Sequence, residues 1–232
     1  IERYINSHTN FDKLNWDFVD FSKTEKEDWL IAQIFDTEKF DLGKGNRPPE
    51  IVLAKLCADR PRWVIELCKS ACKIKRNRSG VILMKDIENS FREIGTSRLS
   101  DITSEYAIYC PQVNEILNAF YNAKGSYDLV GLIAFTEQQI VSKIDIEILG
   151  VSKKCTAKQV VNFLYELTFV EPLKILVNKG VKKKEFLHYK DYPDLLETEI
   201  TNNNIEYDLY WKVHPAFRNY LNIGTPSNFE LE

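Results

Sequence analysis

The chain has 232 residues, with 31 Lys and Arg against 34 Asp and Glu, for a formal net charge of −3. That length holds one large domain or two small ones. The balance of abundant charges indicates a globular protein and excludes a wholly basic nucleic-acid coat. The longest apolar run, residues 129–135, is too short to span a bilayer, so no membrane partner is expected. No secretory leader opens the chain. Its start at Ile1 without a methionine predicts a fragment.

The cysteines and histidines are too scattered along the sequence to form a metal-binding motif. The five cysteines are Cys57, Cys68, Cys72, Cys110 and Cys155, and the three histidines are His8, His188 and His214. Cys68 and Cys72 lie one helical turn apart, but no histidine is near them in sequence, so we expect no metal site. Reduced, partly buried thiols in a cytoplasmic protein are the interpretation that this pattern favours.

The first 45 residues carry short and mixed signals. Residues 12–16 are predicted to form a short strand and residues 27–35 a helix. Residues 41–46 contain two glycines and a lysine, but not in the order G-x-x-x-x-G-K-S/T that a phosphate-binding loop requires. A flexible loop is therefore predicted there.

Residues 47–124 are predicted to be almost entirely helical. A short helix starts at Pro49, and a second starts at Pro61, where proline suits a first turn because it has no N–H to donate. The second helix has an apolar stripe at helical spacing, made of Val64, Leu67, Cys68, Ala71 and Ile74. Arg60 and Arg62 flank its rigid start.

Three more helical segments complete the predicted bundle. They cover residues 85–94, about 98–109, and 111–121 after the break at Pro111. The last segment places four apolar side chains on one face: Val113, Ile116, Leu117 and Phe120. A five-helix bundle can fold by itself, so a helical interaction protein without catalytic activity remains one hypothesis.

Residues 124–126 form the best internal boundary because of their polar, glycine-containing composition. Beyond an apolar segment at 127–141, Thr156 is predicted to cap a helix over residues 157–167. Residues 184–189 and 206–213 are predicted strands, with an acidic loop between them at 191–204. A final short helix opens at His214. This order is typical of a winged helix-turn-helix domain.

Three stretches carry a resemblance to a known family. They read RPRWVIELCKSA, RLSDITSEY…P…ILNAFY and VVNFLYELTFV…HPAF, and together they span roughly residues 47–222. The arrangement resembles the C-terminal portion of AAA+ and STAND-type P-loop ATPases, including bacterial ones linked to phage defence and DNA. It implies a mainly α chain with an ATPase-core edge of one short strand and helix at 1–45. A helical lid bundle at 46–125 and an α+β winged-helix domain at 126–232 would follow.

The resemblance also implies a role for the start of the second helix. In such ATPases the lid helix offers a Pro-Arg pair whose arginine touches the terminal phosphates of the nucleotide. Arg62 matches that arginine, and Arg60 is a weaker neighbour. A bidentate cation at a helix N-terminus suits a polyphosphate. The alternative from the residues alone is a solvated helix start with ordinary surface ion pairs.

The chain departs from the family in lacking the catalytic core. It contains no Walker A lysine and no acidic strand end for magnesium. We therefore expect no ATP hydrolysis by this chain alone. ATP and Mg²⁺ are expected only with a core that precedes Ile1, and oligomerisation is compatible with that arrangement.

The predicted winged helix has a strongly uneven charge. Residues 151–190 contain nine lysines against three glutamates, whereas residues 191–208 contain six acids and no base. Lys158 and the run formed by Lys182, Lys183 and Lys184 are the candidate contacts to a partner protein or to a DNA backbone. A solvated lysine run without a ligand is the competing interpretation. Sequence-specific reading is not expected, because the helix at 157–167 offers only Lys158, Gln159 and Asn162 to bases.

No catalytic constellation stands out. The carboxylate pairs Asp191/Asp194 and Glu197/Glu199 lie in the acidic loop without a histidine partner, and His188 and His214 are interpreted as structural. Beside the ATPase hypothesis stands a freestanding winged-helix module that binds DNA or protein.

Overall fold

The computed structural model describes residues 31–36, 48–57, 60–75, 80–150, 154–178, 181–197 and 208–223. The strand predicted at 12–16 and the loop predicted at 41–46 lie outside the described residues. The helix predicted at 27–35 is described in part: residues 31–34 are helical. Phe35 is not, because it forms an isolated parallel bridge with Ile82, and that pairing requires an extended backbone.

Four helices form the first half of the described fold. They are α1 (Pro49–Leu56), α2 (Pro61–Ile74), α3 (Met84–Tyr106) and α4 (Val113–Asn118). Helix α2 begins at Pro61 as predicted, after an extended Arg60. Its buried face consists of Trp63, Leu67, Ser70 and Ala71, which is rotated from the predicted stripe. The rotation arises because the indole of Trp63 turns inward against α3, where its Nε1 donates a hydrogen bond to Asp101 Oδ2 at 3.2 Å.

The two helices predicted at 85–94 and 98–109 are one continuous helix, α3. The gap between the two predicted helices, residues 95–97, contains Gly95. In the structure this glycine marks a close approach instead: a Cβ added there would lie 2.7 Å from the Cβ of Tyr220. Gly95 is therefore a contact point between α3 and the C-terminal segment.

The second half opens with a short strand and two helices. They are β1 (Ser126–Tyr127), α5 (Leu129–Thr136), which continues into a π-helical turn (Glu137–Val141), and α6 (Ala157–Glu166). Thr156 caps α6 as predicted, and its Oγ1 accepts from Gln159 N at 3.3 Å while Gln159 Oε1 accepts from Thr156 N at 2.9 Å. Such a reciprocal capping box fixes where α6 begins.

A small antiparallel sheet follows α6. Its further strands are β2 (Val170–Asn178), β3 (Val181–Phe186) and β4 (Asp208–Val213), and the strand order is β1-β4-β2-β3. Strand β2 is absent from the sequence prediction, in which residues 169–172, with Pro172, only end the preceding helix. Proline lacks a donor, but the carbonyl of Pro172 accepts from Leu187 N at 2.9 Å, so the strand continues through it.

The core is continuous from the helices to the sheet. Helix α7 (Pro215–Arg218) brings Phe217 against Trp63 and Phe169, with ring centroids 5.9 and 5.1 Å away. The boundary predicted at residues 124–126 lies inside this packing, since Gly125 accepts a hydrogen bond from Val213 N at 3.0 Å. Helices predominate beside the small antiparallel sheet, which confirms the mainly α, α+β class. Across the described residues, none of the helices combines the length and the apolar character needed to cross a bilayer.

Candidate functional site

Arg62 is the most exposed charge at the start of α2. Its side chain is 71% exposed, its Nε donates to Glu66 Oε1 at 2.9 Å, and its Nη2 lies 3.6 Å from Asp101 Oδ1. The hydrogen bond to Glu66 and the nearby charges of Asp101 and Glu66 raise the pKa of Arg62. The guanidinium is accessible, but two carboxylates already hold it.

Arg60 has a more structural position than Arg62. Its Nη1 donates to Glu105 Oε2 at 2.6 Å, and its guanidinium carbon lies 5.1 Å from the ring centroid of Trp63. Its side chain is only 28% exposed. Arg60 therefore ties the beginning of α2 to α3 through an ion pair and a cation–π contact.

A third arginine, which sequence reasoning missed, lies beneath these two. Arg98 is fully buried, its Nη1 donates to Leu56 O at 3.2 Å, and its guanidinium carbon lies 5.0 Å from the Trp63 ring centroid. Burial lowers the pKa of Arg98. Its spacing from Ile94 and Ile102 on the apolar stripe of α3 was the signal that could have indicated this position.

The two arginines at the start of α2 are thus already paired with carboxylates of the same chain. Glu66, Asp101 and Glu105 face Arg60 and Arg62 within ion-pair distance. An anionic ligand at this helix N-terminus would exchange with these carboxylates on Arg62 rather than meet an open cation. This is the chemistry available at the predicted phosphate contact: displacement of a weak surface pair by a more highly charged group.

A groove runs along the exposed side of α6. Its volume is about 190 Å³, and it is lined by Ile148, Lys158, Gln159, Asn162, Phe163, Glu166, Leu196 and Glu197. Lys158, the first predicted partner contact, lies in it and forms an ion pair with Glu197 at 2.8 Å. Its charge is therefore satisfied within the chain. Gln159 and Asn162, the other polar residues expected to face a ligand, also line this groove.

The chain after β3 packs beside α6 and forms one side of the groove. Leu195 and Leu196 are buried, and the hydroxyl of Tyr165 donates to Leu187 O at 2.9 Å. The ring of Tyr189 lies 5.2 Å from that of Tyr165. Part of the acidic loop predicted at 191–204 therefore returns onto the helix that was expected to face DNA, which sequence periodicity did not indicate.

Lys182, Lys183 and Lys184 lie on β3, at the edge of the sheet. Their backbone register pairs them with Val177, Leu176 and Ile175 of β2. The predicted site residues therefore occupy three places in the fold. Arg60 and Arg62 share the start of α2, Lys158 lies in the α6 groove, and the lysine run follows the outer strand.

The two C-terminal histidines meet a buried carboxylate that the sequence analysis did not single out. Glu171 Oε1 lies 3.2 Å from His188 Nδ1, and Glu171 Oε2 lies 3.8 Å from His214 Nε2. His214 Nδ1 accepts from Ala216 N at 3.1 Å and so caps α7. This geometry is that of a structural cluster joining β2 to α7. Within the described ranges, no group of three or more His, Cys, Asp or Glu side chains is placed to hold a metal ion.

Comparisons of the chain with protein-family models, with curated proteins and with solved structures found no match. The resemblance to P-loop ATPases therefore depends on the three sequence stretches quoted above.

Proposed function

We propose that this chain is the helical lid and winged-helix part of a P-loop ATPase, in which Arg62 senses nucleotide phosphate and the winged helix contacts a partner protein. The observation that carries the proposal is the order of elements around the sheet. The winged-helix order predicted from the sequence is helix, helix, strand, loop, strand, helix. Here α5, α6, β2, β4 and α7 follow that order, and the strands pair as β1-β4-β2. Strand β3 is then an addition within the wing.

The packing around Trp63 supports a coupling role. Trp63 directly follows Arg62, and its ring contacts Phe217 of α7 at 5.9 Å. A change in the position of Arg62 would therefore act on a side chain that touches the C-terminal part of the fold. Close-packed cores transmit such displacements because they leave little free volume.

Arg62 is better placed than Arg60 to sense a ligand, because its side chain is more exposed. A nucleotide carries more negative charge than the carboxylates of Glu66 and Asp101, and a phosphate matches the guanidinium fork bidentately. Arg60 is held by Glu105 and by the indole of Trp63. We therefore assign Arg62 to the phosphate and Arg60 to the positioning of α2. ATP and Mg²⁺ would be held mainly by a core outside these residues.

Nucleotide binding tests this assignment. The experiment measures ATP affinity by isothermal titration for the full-length polypeptide that contains this chain, as wild type, Arg62→Ala and Lys73→Ala. Lys73 is the matched control, because it is an exposed cation in the last turn of the same helix. We expect Arg62→Ala to weaken ATP binding about tenfold, which corresponds to one charge-assisted contact. Equal affinities of all three proteins would remove the phosphate assignment.

A freestanding winged helix that binds DNA without sequence preference is the second candidate. It is favoured by the position of Lys182, Lys183 and Lys184 on an outer strand after β2, where a wing meets phosphates. A salt series on duplex binding tests it, with a triple alanine variant at these lysines and a control triple variant at Lys73, Lys85 and Lys143. The wing variant should lose about 0.9 of slope per phosphate contact. Equal slopes for both variants would exclude this role.

A further inference from the structure

The α6 groove continues into exposed apolar surface. Ile108, Tyr109 and Leu149 are 82%, 52% and 66% exposed, which is unusual for adjacent large apolar side chains. Leu149 N donates to Tyr109 O at 2.8 Å, so the end of α3 and the loop before α6 lie side by side. This apolar patch, formed by Ile108, Tyr109 and Leu149, borders the groove at Ile148, which directly precedes Leu149 in the chain.

An aromatic contact joins the patch to the groove. The ring of Tyr106 lies 6.0 Å from that of Phe163, which lines the groove, and 6.1 Å from that of Tyr109 in the patch. The two surfaces therefore share a wall of aromatic side chains. Large amphipathic rings of this kind are enriched where proteins bind one another.

The charges around the groove are unequal in their pairing. Lys158 is neutralised by Glu197 at 2.8 Å. Glu166, at the C-terminal end of α6, is exposed and has no ion-pair partner among the residues that the structure describes. A carboxylate at a helix C-terminus also faces the negative end of the helix dipole. The groove therefore has a surplus of negative potential at the Glu166 end.

We propose that the α6 groove and the apolar patch bind a protein segment that carries apolar anchor side chains next to a lysine or arginine. The anchors would cover the apolar patch and the partly exposed Ile148, and the cation would pair with Glu166. The amide of Asn162 lies where it can hydrogen-bond a peptide backbone, whereas the Oε1 of Gln159 is already held in the capping box with Thr156. This inference rests on the proposed use of the winged helix as a protein contact, but not on the ATPase assignment.

Nucleic acid fits the same surface poorly. Phosphates would meet Glu166 and Glu197, and Lys158, the one lysine among the described residues that line the groove, is already paired. The apolar surface of Ile148 and of the patch offers a sugar-phosphate backbone no hydrogen bonds. A basic and apolar polypeptide satisfies both properties of the groove at once.

The test selects ligands without assuming their identity. A phage-displayed library of random 12-residue peptides is panned against the full chain, and the consensus peptide is synthesised for fluorescence anisotropy. We expect a consensus with large apolar residues and at least one Lys or Arg. Its affinity should fall about tenfold in Glu166→Lys, because an attractive pair becomes a repulsive one. Glu50→Lys, the same charge change on the exposed side of α1, should leave the affinity unchanged.

Three outcomes of the peptide selection and binding measurements would overturn the proposal, and a fourth comes from competition with DNA. They are the absence of a consensus, a consensus without a basic residue, and equal affinity for wild type and Glu166→Lys. Displacement of the peptide by duplex DNA would overturn it in favour of a nucleic-acid surface. If Glu166→Lys loses its native circular dichroism, Glu166→Gln replaces it, with an expected loss of about threefold. If the full-length polypeptide fails to bind ATP but the chain still binds the peptide, only the ATPase assignment is contradicted.

Discussion

The start of α2 and the exposed side of α6 differ in how far their charged side chains are paired within the chain. At the start of α2, Arg60 and Arg62 are paired with carboxylates of the same chain, and Arg60 also lies over the buried ring of Trp63. Along α6, Lys158 is paired, but Glu166 is exposed. A ligand at the start of α2 must exchange with existing partners, whereas a ligand at Glu166 adds a contact. This difference is the basis for proposing a sensing role for the first site and a docking role for the second.

The largest effect should come from the residue that supports the helix start. Trp63 is 1% exposed, and its ring contacts Arg60, Arg98 and Phe217. Trp63→Ala should lower the free energy of unfolding by about 3–5 kcal/mol, since it leaves a cavity under two arginines. Urea denaturation measures this. Trp63→Phe should lose less, because it keeps a ring and gives up the hydrogen bond to Asp101. A loss below about 1 kcal/mol for the alanine variant would mean that the ring of Trp63 does not hold the start of α2 against α3 and α7.

The packing of α3 against the C-terminal segment can be tested at Gly95. Gly95→Ala should destabilise the protein by about 1–3 kcal/mol, because the new methyl group would press on the backbone-proximal Cβ of Tyr220. Helix propensity alone predicts the opposite, a gain of about 1 kcal/mol. The matched control is Thr96→Ala, an exposed neighbour in α3 that should be close to neutral. A stabilised Gly95→Ala variant would show that α3 and the segment around Tyr220 can separate.

The buried thiols of Cys57 and Cys110 predict how the free energy of unfolding depends on pH. Burial raises the pKa of Cys57, next to Arg98, and of Cys110, before α4, to about 11 in each case. A thiol with a raised folded-state pKa stabilises the fold fully below its unfolded pKa and loses that contribution as pH rises through the folded value. The free energy of unfolding should therefore fall between about pH 9 and 11, by about 1.4 kcal/mol per pH unit for each thiol.

Alanine variants show how much each thiol contributes to this decrease in the free energy of unfolding at alkaline pH. Cys57→Ala and Cys110→Ala should each show a shallower decline than wild type when urea unfolding is repeated from pH 8 to pH 10.5. Both variants start from a lower stability at pH 8, because a small cavity replaces the thiol. Slopes identical to wild type would show that other groups cause the decline.

The smallest effect is expected for the Arg60–Glu105 pair. The pair is partly exposed, so a double-mutant cycle with Arg60→Ala and Glu105→Ala should give a coupling energy of about 0.5–1 kcal/mol. The coupling should weaken in high salt. A coupling of zero would mean that the Arg60–Glu105 pair does not help to fix the start of α2.

Local signals in the sequence predicted the element starts well. Pro61 and Thr156 act through their own backbone and neighbouring amides, so α2 and α6 begin where expected. The face of α4 was equally predictable, since Val113, Ile116, Leu117 and Phe120 are all buried. The C-terminal helix also starts after His214 as predicted.

Long-range contacts account for what the sequence did not reveal. The burial of Arg98 depends on the carbonyl of Leu56, and the role of Glu171 depends on two histidines far along the chain. The α6 groove exists because Leu195 and Leu196 return to a helix some thirty residues earlier. Strand β2 was hidden by Pro172, whose tolerance depends on its partner in the sheet.

Hydrogen–deuterium exchange tests the proposed coupling between nucleotide and winged helix most directly. The full-length polypeptide is compared with and without ATP and Mg²⁺, as wild type, Arg62→Ala and the Lys73→Ala control. We predict that ATP slows exchange in the first turn of α2 and in α7 of the wild type and of the control, and in neither segment of Arg62→Ala. Exchange in α7 that ignores ATP, or that slows equally in Arg62→Ala, would contradict the account.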